Sequence, residues 1–174
     1  MAFVALAAGL VVVLRGTGRI VKRTRELEQF KHGVRDLAAR VDASLGSAAT
    51  QIDAVRRRTV GPETITDTVA AATDAVERYA DEARGLRGPS TARQLRADLV
   101  AELERAARAL GMVDHGATIL AAARRGSREL EAQTSIKRGY LNLLHAREAI
   151  ARHALEAQSL EGDDAAQKAG RPTV

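Results

Sequence analysis

Four histidines, His32, His115, His145 and His153, are the side chains of this chain best fitted to proton transfer or metal ligation near neutral pH. A di-iron helical bundle would need Glu-x-x-His pairs on facing helices. The residues three positions earlier are Gln29, Met112, Asn142 and Ile150, so that spacing is absent at every histidine. His145 and Glu148 do stand at i and i+3, with His153 two helical turns beyond His145. Such a set could hold a metal only with ligands from another helix, and solvated helix-surface histidines account for it more simply. No metal is expected. The absence of cysteine excludes disulfides, thiolate catalysis and Cys-ligated zinc. Gly16-Thr17-Gly18 looks like the opening of a phosphate loop, but it follows no strand and lacks the later glycine and the Lys-Ser/Thr pair. Glu26, Glu28, Asp36 and Asp42 share one helical segment without any sign of a desolvated carboxylate pair. Arg93, Arg96, Asp98, Glu102, Glu104, Arg105 and Arg108 alternate in sign at helical spacing, which describes a solvated face whose ion pairs are worth a few tenths of a kcal/mol each. No catalytic residue, cofactor or small-molecule substrate is expected, and the chain reads as a non-enzyme.

Composition agrees. Alanine is about a fifth of the 174 residues, and Phe3, Phe30, Tyr79 and Tyr140 are the only aromatics. The bulky side chains that usually fill an enzyme core or line a ligand pocket are missing. Ala, Leu, Arg and Glu favour long helices with thin apolar seams. Arginine outnumbers lysine 23 to 4, a bias of GC-rich, bacterial coding rather than a physical requirement. The net charge of +5 suggests nucleic acid until it is located. Residues 1–25 hold five bases and no acid, which leaves 22 bases against 22 acids in the rest. A nucleic-acid binder should carry its excess on the binding face, with aromatics for stacking. No nucleic-acid partner is expected.

The excess lies beside an uncharged stretch, Ala2–Leu14, in which Phe3, Val4, Leu6, Leu10, Val11, Val12, Val13 and Leu14 are the candidates for membrane insertion. Arg15, Arg19, Lys22, Arg23 and Arg25 form a basic collar on its C-terminal side, the pattern of an anchor whose body stays cytoplasmic and whose N-terminus lies outside. Thirteen helical residues cover only about 20 Å of the roughly 30 Å hydrocarbon core. Continuing through Ile20 and Val21 reaches the needed length but includes Arg15 and Arg19, which can snorkel to the interface near a helix end. The eight large apolar residues contribute about −3 to −4 kcal/mol in total. A cleavable signal would place its charges before the apolar run. An in-plane amphipathic helix would show charges recurring within it, and none do.

From residue 20 the apolar positions step by three and four. Leu27, Phe30, Val34, Leu37, Val41, Leu45, Ala48, Ile52 and Val55 form a heptad seam with one stutter near Leu45. Gly61-Pro62 breaks it. Ile65, Val69, Ala72, Val76, Tyr79, Ala83 and Leu86 continue in a second helix, which Thr64 or Thr66 is placed to cap. Gly88-Pro89 ends that helix. The spacing predicts an anchor over 1–21, a first coiled-coil helix over 22–58, a second helix over 62–87 and one or two helices over 90–160. A disordered tail is expected over 161–174. Gly111 and Gly116 should weaken the third segment and mark a kink. The fold class is all-α: a long antiparallel hairpin turning at Gly88-Pro89, or a coiled-coil-like bundle of three or four helices, behind an N-terminal membrane-anchor helix.

Ser135 to Glu148 is the least generic part of the body, because Tyr140, Leu141, Leu143 and Leu144 occupy more than one helix face. They are either the centre of the core or a partner-docking surface. The function expected is a single-pass, membrane-anchored helical scaffold, with the bilayer and a protein partner, or a second copy paired through the seam, as its contacts. The alternative is a soluble or peripheral helical regulator whose apolar N-terminus docks on a partner protein.

Overall fold

Helix α1 (Ala2–Arg56) turns its seam toward the other helices: Leu27, Phe30, Val34, Leu37, Val41, Leu45, Ile52 and Val55 are each no more than 5% exposed. After the stutter at Leu45, Ala48 and Ala49 both face inward, widening the buried stripe where the spacing changes. The computed structural model describes residues 2–122 and 128–160, with side chains described from residue 21 onward. Over these residues the chain is all-helical: α1, α2 (Thr66–Gly85), α3 (Arg93–Ala122) and α4 (Glu129–Ser159). The insertion candidates Phe3, Val4, Leu6, Leu10, Val11, Val12, Val13 and Leu14, with Arg15 and Arg19, have side chains outside the described residues, and so does the expected tail 161–174.

Each helix packs on its neighbours in the chain, and α4 closes back on α1, giving an up-down-up-down four-helix bundle. The antiparallel register of α1 and α2 is marked by Thr68 Oγ1 donating to Gln51 Oε1 at 2.8 Å and by Tyr79 Oη lying 3.2 Å from Ser44 Oγ. That of α1 and α4 is marked by Arg147 Nε on Asp42 Oδ1 at 2.6 Å and by Gln158 Nε2 on the Lys31 carbonyl at 3.2 Å. The two-armed hairpin is therefore not formed. The chain reverses at 57–61, so α2 folds back on α1 instead of extending it, and 90–160 forms two helices. No polar residue is buried among the described residues, and one continuous apolar core joins all four helices. Ile65, Val69 and Val76 bring α2 into that core at 1% exposure or less. Tyr79 is half-buried, with the Arg40 guanidinium 5.4 Å from its ring centre.

Helix ends depart from the expected caps. A 3-10 turn (Pro62–Ile65) leads into α2, and the Thr64 hydroxyl donates back to the Gly61 carbonyl at 2.7 Å instead of capping the helix. The turn has already given the Thr64 N–H a partner in that same carbonyl. At the other end Arg96 Nη1 donates to the Leu86 carbonyl at 2.8 Å, satisfying an acceptor just beyond α2. A β-carbon on Gly88 would come within 2.8 Å of the Phe30 ring, so this loop seals the bundle end only as glycine.

Helix α3 runs unbroken through both Gly111 and Gly116, contrary to the expected kink. Gly116 is buried against α4, where a β-carbon would sit 2.8 Å from the Ala132 carbonyl oxygen. Gly139 of α4 does the reverse, with a β-carbon falling 2.7 Å from the Ala109 carbonyl oxygen and from Val113 Cγ2. Between these glycines the two backbones touch. Gly111 faces open space. Two alanine substitutions should therefore act in opposite directions. Gly139→Ala should lower stability by about 1–3 kcal/mol through overpacking despite alanine's better helix propensity. Gly111→Ala should raise it by about 0.5–1 kcal/mol. Urea unfolding followed by circular dichroism checks both.

Candidate functional site

A cavity of about 600 Å³ lies at the end of the bundle where α1 finishes and α4 begins. Its aliphatic wall is Val55, Val60, Pro62, Leu120 and Ile136, and its polar rim is Arg56, Arg58, Glu129, Gln133 and Lys137. A shortage of aromatics suggested no ligand pocket. The site forms without them, because the reversal at 57–61 and the start of α4 stand apart around aliphatic side chains.

The way α1 ends sets this geometry. The Arg58 N–H bonds the Val55 carbonyl at 2.9 Å, and the Thr59 N–H bonds the Ala54 carbonyl at 3.0 Å. This is the Schellman arrangement, which usually places glycine at the left-handed position. Here Arg58 occupies it, with φ of 60°, the only non-glycine with positive φ among the described residues. The conformation costs an L-residue on the order of 1 kcal/mol and is found preferentially at functional positions. From it, Arg58 Nη2 reaches Glu129 Oε1 at 3.0 Å across 71 residues of sequence, and Gln133 Nε2 donates to the same oxygen at 2.8 Å.

The other cations of the rim are held differently. Arg56 and Arg57 both donate to Asp53, at 2.8 Å and 2.6 Å through their Nε atoms, and the Arg56 guanidinium lies 5.2 Å from the Tyr140 ring centre. The hydrogen bond from Arg56, with help from Arg57, holds the Asp53 carboxyl below its ordinary 3.8. Lys137 is exposed and makes no ion pair among the described residues. α4 begins here with Glu129 and Glu131 in its first turn, which complement the positive end of its dipole.

The candidates named from sequence are dispersed. His32 pairs with Asp36 at 3.1 Å and His153 with Glu156 at 2.8 Å, each within its own helix, while His115 and His145 are exposed. Among the described residues no group of three His, Asp or Glu side chains could hold a metal ion. Leu143 is fully buried, and Tyr140 and Leu144 are half-buried against the core. Leu141 is 43% exposed, on an outer stripe of α4 with Leu130 and Leu155 at 74% and 73%. These three leucines fall within about 40° of one another at 3.6 residues per turn. Lys22, Arg23 and Arg25 are exposed on α1 ahead of Leu27, its first buried residue among the described side chains. Sequence reasoning missed the Arg56-Arg57-Arg58 run, whose first and last members line the rim. The run was visible, but its meeting with Glu129 and Lys137 depends on the register of α1 against α4.

No protein-family model, curated protein or solved structure matches this chain. Among the described residues no helix is long and apolar enough to cross a membrane.

Since Asp53 ionises more readily folded than unfolded, the stability it provides is complete above the ordinary carboxylate range. It is lost as pH falls through the lowered folded value. Asp53→Asn should slightly lower the melting temperature at pH 7, and its gap to the parent protein should close on acidification below 3.8. A gap that stayed constant with pH would show that the pairing of Asp53 with Arg56 and Arg57 contributes nothing.

Proposed function

We propose that the protein is a non-catalytic, single-pass membrane-anchored scaffold. Residues 2–14 form its anchor, the N-terminus lies outside, and the four-helix bundle is the cytoplasmic body. The observation that carries this reading is the uncharged Ala2–Leu14 stretch followed directly by Arg15, Arg19, Lys22, Arg23 and Arg25. Anchor candidate and bundle wall share one helix, α1, with about 20 Å of helical rise between Leu14 and Leu27. The Gly88-Pro89 loop packs at the level of Phe30 and is flanked by Arg87 and Arg93, both exposed and without ion pairs among the described residues. These arginines lie at the same end of the bundle as the collar, where anionic headgroups would attract them at about 1 kcal/mol per charge.

The electrostatics fit a body without acid–base chemistry. Each resolved shift favours the charged form: hydrogen bonds from Arg147 and Arg56 hold Asp42 and Asp53 low, and bonds to Glu82, Glu104 and Asp42 hold Arg40, Arg84 and Arg147 high. A general acid or base at neutral pH needs the opposite arrangement. The α1 seam is occupied by the chain's own helices. A protein partner therefore fits the outer stripe of Leu130, Leu141 and Leu155 better than the seam.

Alkaline carbonate extraction of membranes, combined with protease protection of a C-terminal tag, tests this reading. The parent protein should resist extraction, and its tag should be shielded in intact cells. Val12→Arg adds about 2.5–3.5 kcal/mol against an insertion gain of about 3–4 and should release the protein. Extraction of the parent protein would refute the anchor.

A further inference from the structure

We propose that the cavity between the end of α1 and the start of α4 is a binding site for an organic anion: one carboxylate or phosphate group carried on an apolar body. This inference is independent of the membrane reading. A volume of about 600 Å³ falls within the range of small-ligand sites. The two halves of the lining match the two halves of such a ligand. Val60, Pro62 and Leu120 present the accessible aliphatic surface, over a floor of Val55 and Ile136, which are 3% and 2% exposed and so held rigidly by the core. Among the described lining residues, Arg58 and Lys137, with Arg56 already held by Asp53, stand against the carboxylate of Glu129.

Arg58 is the distinguishing element. A glycine at the left-handed position would end α1 with less strain. What the arginine provides from there is a guanidinium at the cavity rim, paired with Glu129 at 3.0 Å in a bond that is half exposed to solvent. An exposed pair of this kind is worth only about 0–1 kcal/mol, no more than the backbone strain that accompanies it, so stability alone does not account for the residue. An incoming anion can take the Glu129 position on the Arg58 fork, leaving Glu129 with Gln133 Nε2, while Lys137, which makes no ion pair among the described residues, supplies a second donor. A neutral amphiphile gains none of these contacts, and a small inorganic anion leaves the aliphatic wall wet.

Isothermal titration of the full-length protein with octanoate, octyl phosphate, octanol and inorganic phosphate tests the site. At least one of the two octyl anions should bind saturably at one per chain, and the tighter of them identifies the headgroup. Octanol and inorganic phosphate should bind at least tenfold more weakly. Arg58→Gly and Lys137→Gln change exposed side chains and should retain the parent circular dichroism spectrum, yet each should raise the dissociation constant about tenfold. Binding unaffected by both variants would place the ligand elsewhere, on residues 2–14 for example, and would overturn the proposal. Octanol binding as tightly as octanoate, or neither octyl anion binding, would overturn it as well.

Discussion

Gly116 and Gly139 bring the backbones of α3 and α4 into contact, and the other packing in the bundle is set around that pair. Each glycine stands where a single β-carbon would fall within 2.8 Å of a carbonyl oxygen on the facing helix. Ala109, Ala132 and Ala146 lie buried along the same two helices. A chain with one-fifth alanine and few aromatics cannot fill wide gaps between helices, so it must close them. Once α3 and α4 are that close, α1 and α2 can seal the remaining sides with Leu, Ile and Val from their own seams. The alanine content that argues against an ordinary globular core is thus what allows this one to pack.

The bundle's charged groups follow a second rule. With no polar residue buried among those described, the charges are left to the surface and the bundle ends, and they are not spread evenly. Arg40–Glu82, Arg84–Glu104 and Arg147–Asp42 tie neighbouring helices along the sides. Among the described residues, the cations without such partners include Arg87 and Arg93 near one end and Lys137 at the other. A body that is neutral in total can therefore still present positive surface at both ends, one next to the proposed anchor and one around a cavity.

Much of the fold was legible in the chain. The three-and-four steps from Leu27 to Val55 and from Ile65 to Val76 identify residues that lie at 6% exposure or less, because a helical period needs no tertiary information to read. The breaks at Gly61-Pro62 and Gly88-Pro89 were equally local. The choice between a hairpin and a bundle was not, since it turns on whether five residues reverse the chain, and a left-handed arginine gives no sequence signal. Gly111 and Gly116 look alike in the sequence and play opposite parts, one facing solvent and one pressed against Ala132, because only the partner helix distinguishes them. The cavity was invisible for the same reason: Arg58, Glu129 and Lys137 are neighbours only once α1 and α4 are in register.

Closure of α1 onto its own chain is the claim on which both the buried seam and the cavity depend. The chain has no cysteine, so one engineered pair reports without background. Cysteines at Gln51 and Thr68, whose side chains meet at 2.8 Å, should react with a short bismaleimide to give a cross-linked monomer, in a yield independent of protein concentration. Cross-linked dimers, or no cross-link at all, would mean that α2 extends away from α1 and that the seam pairs between chains.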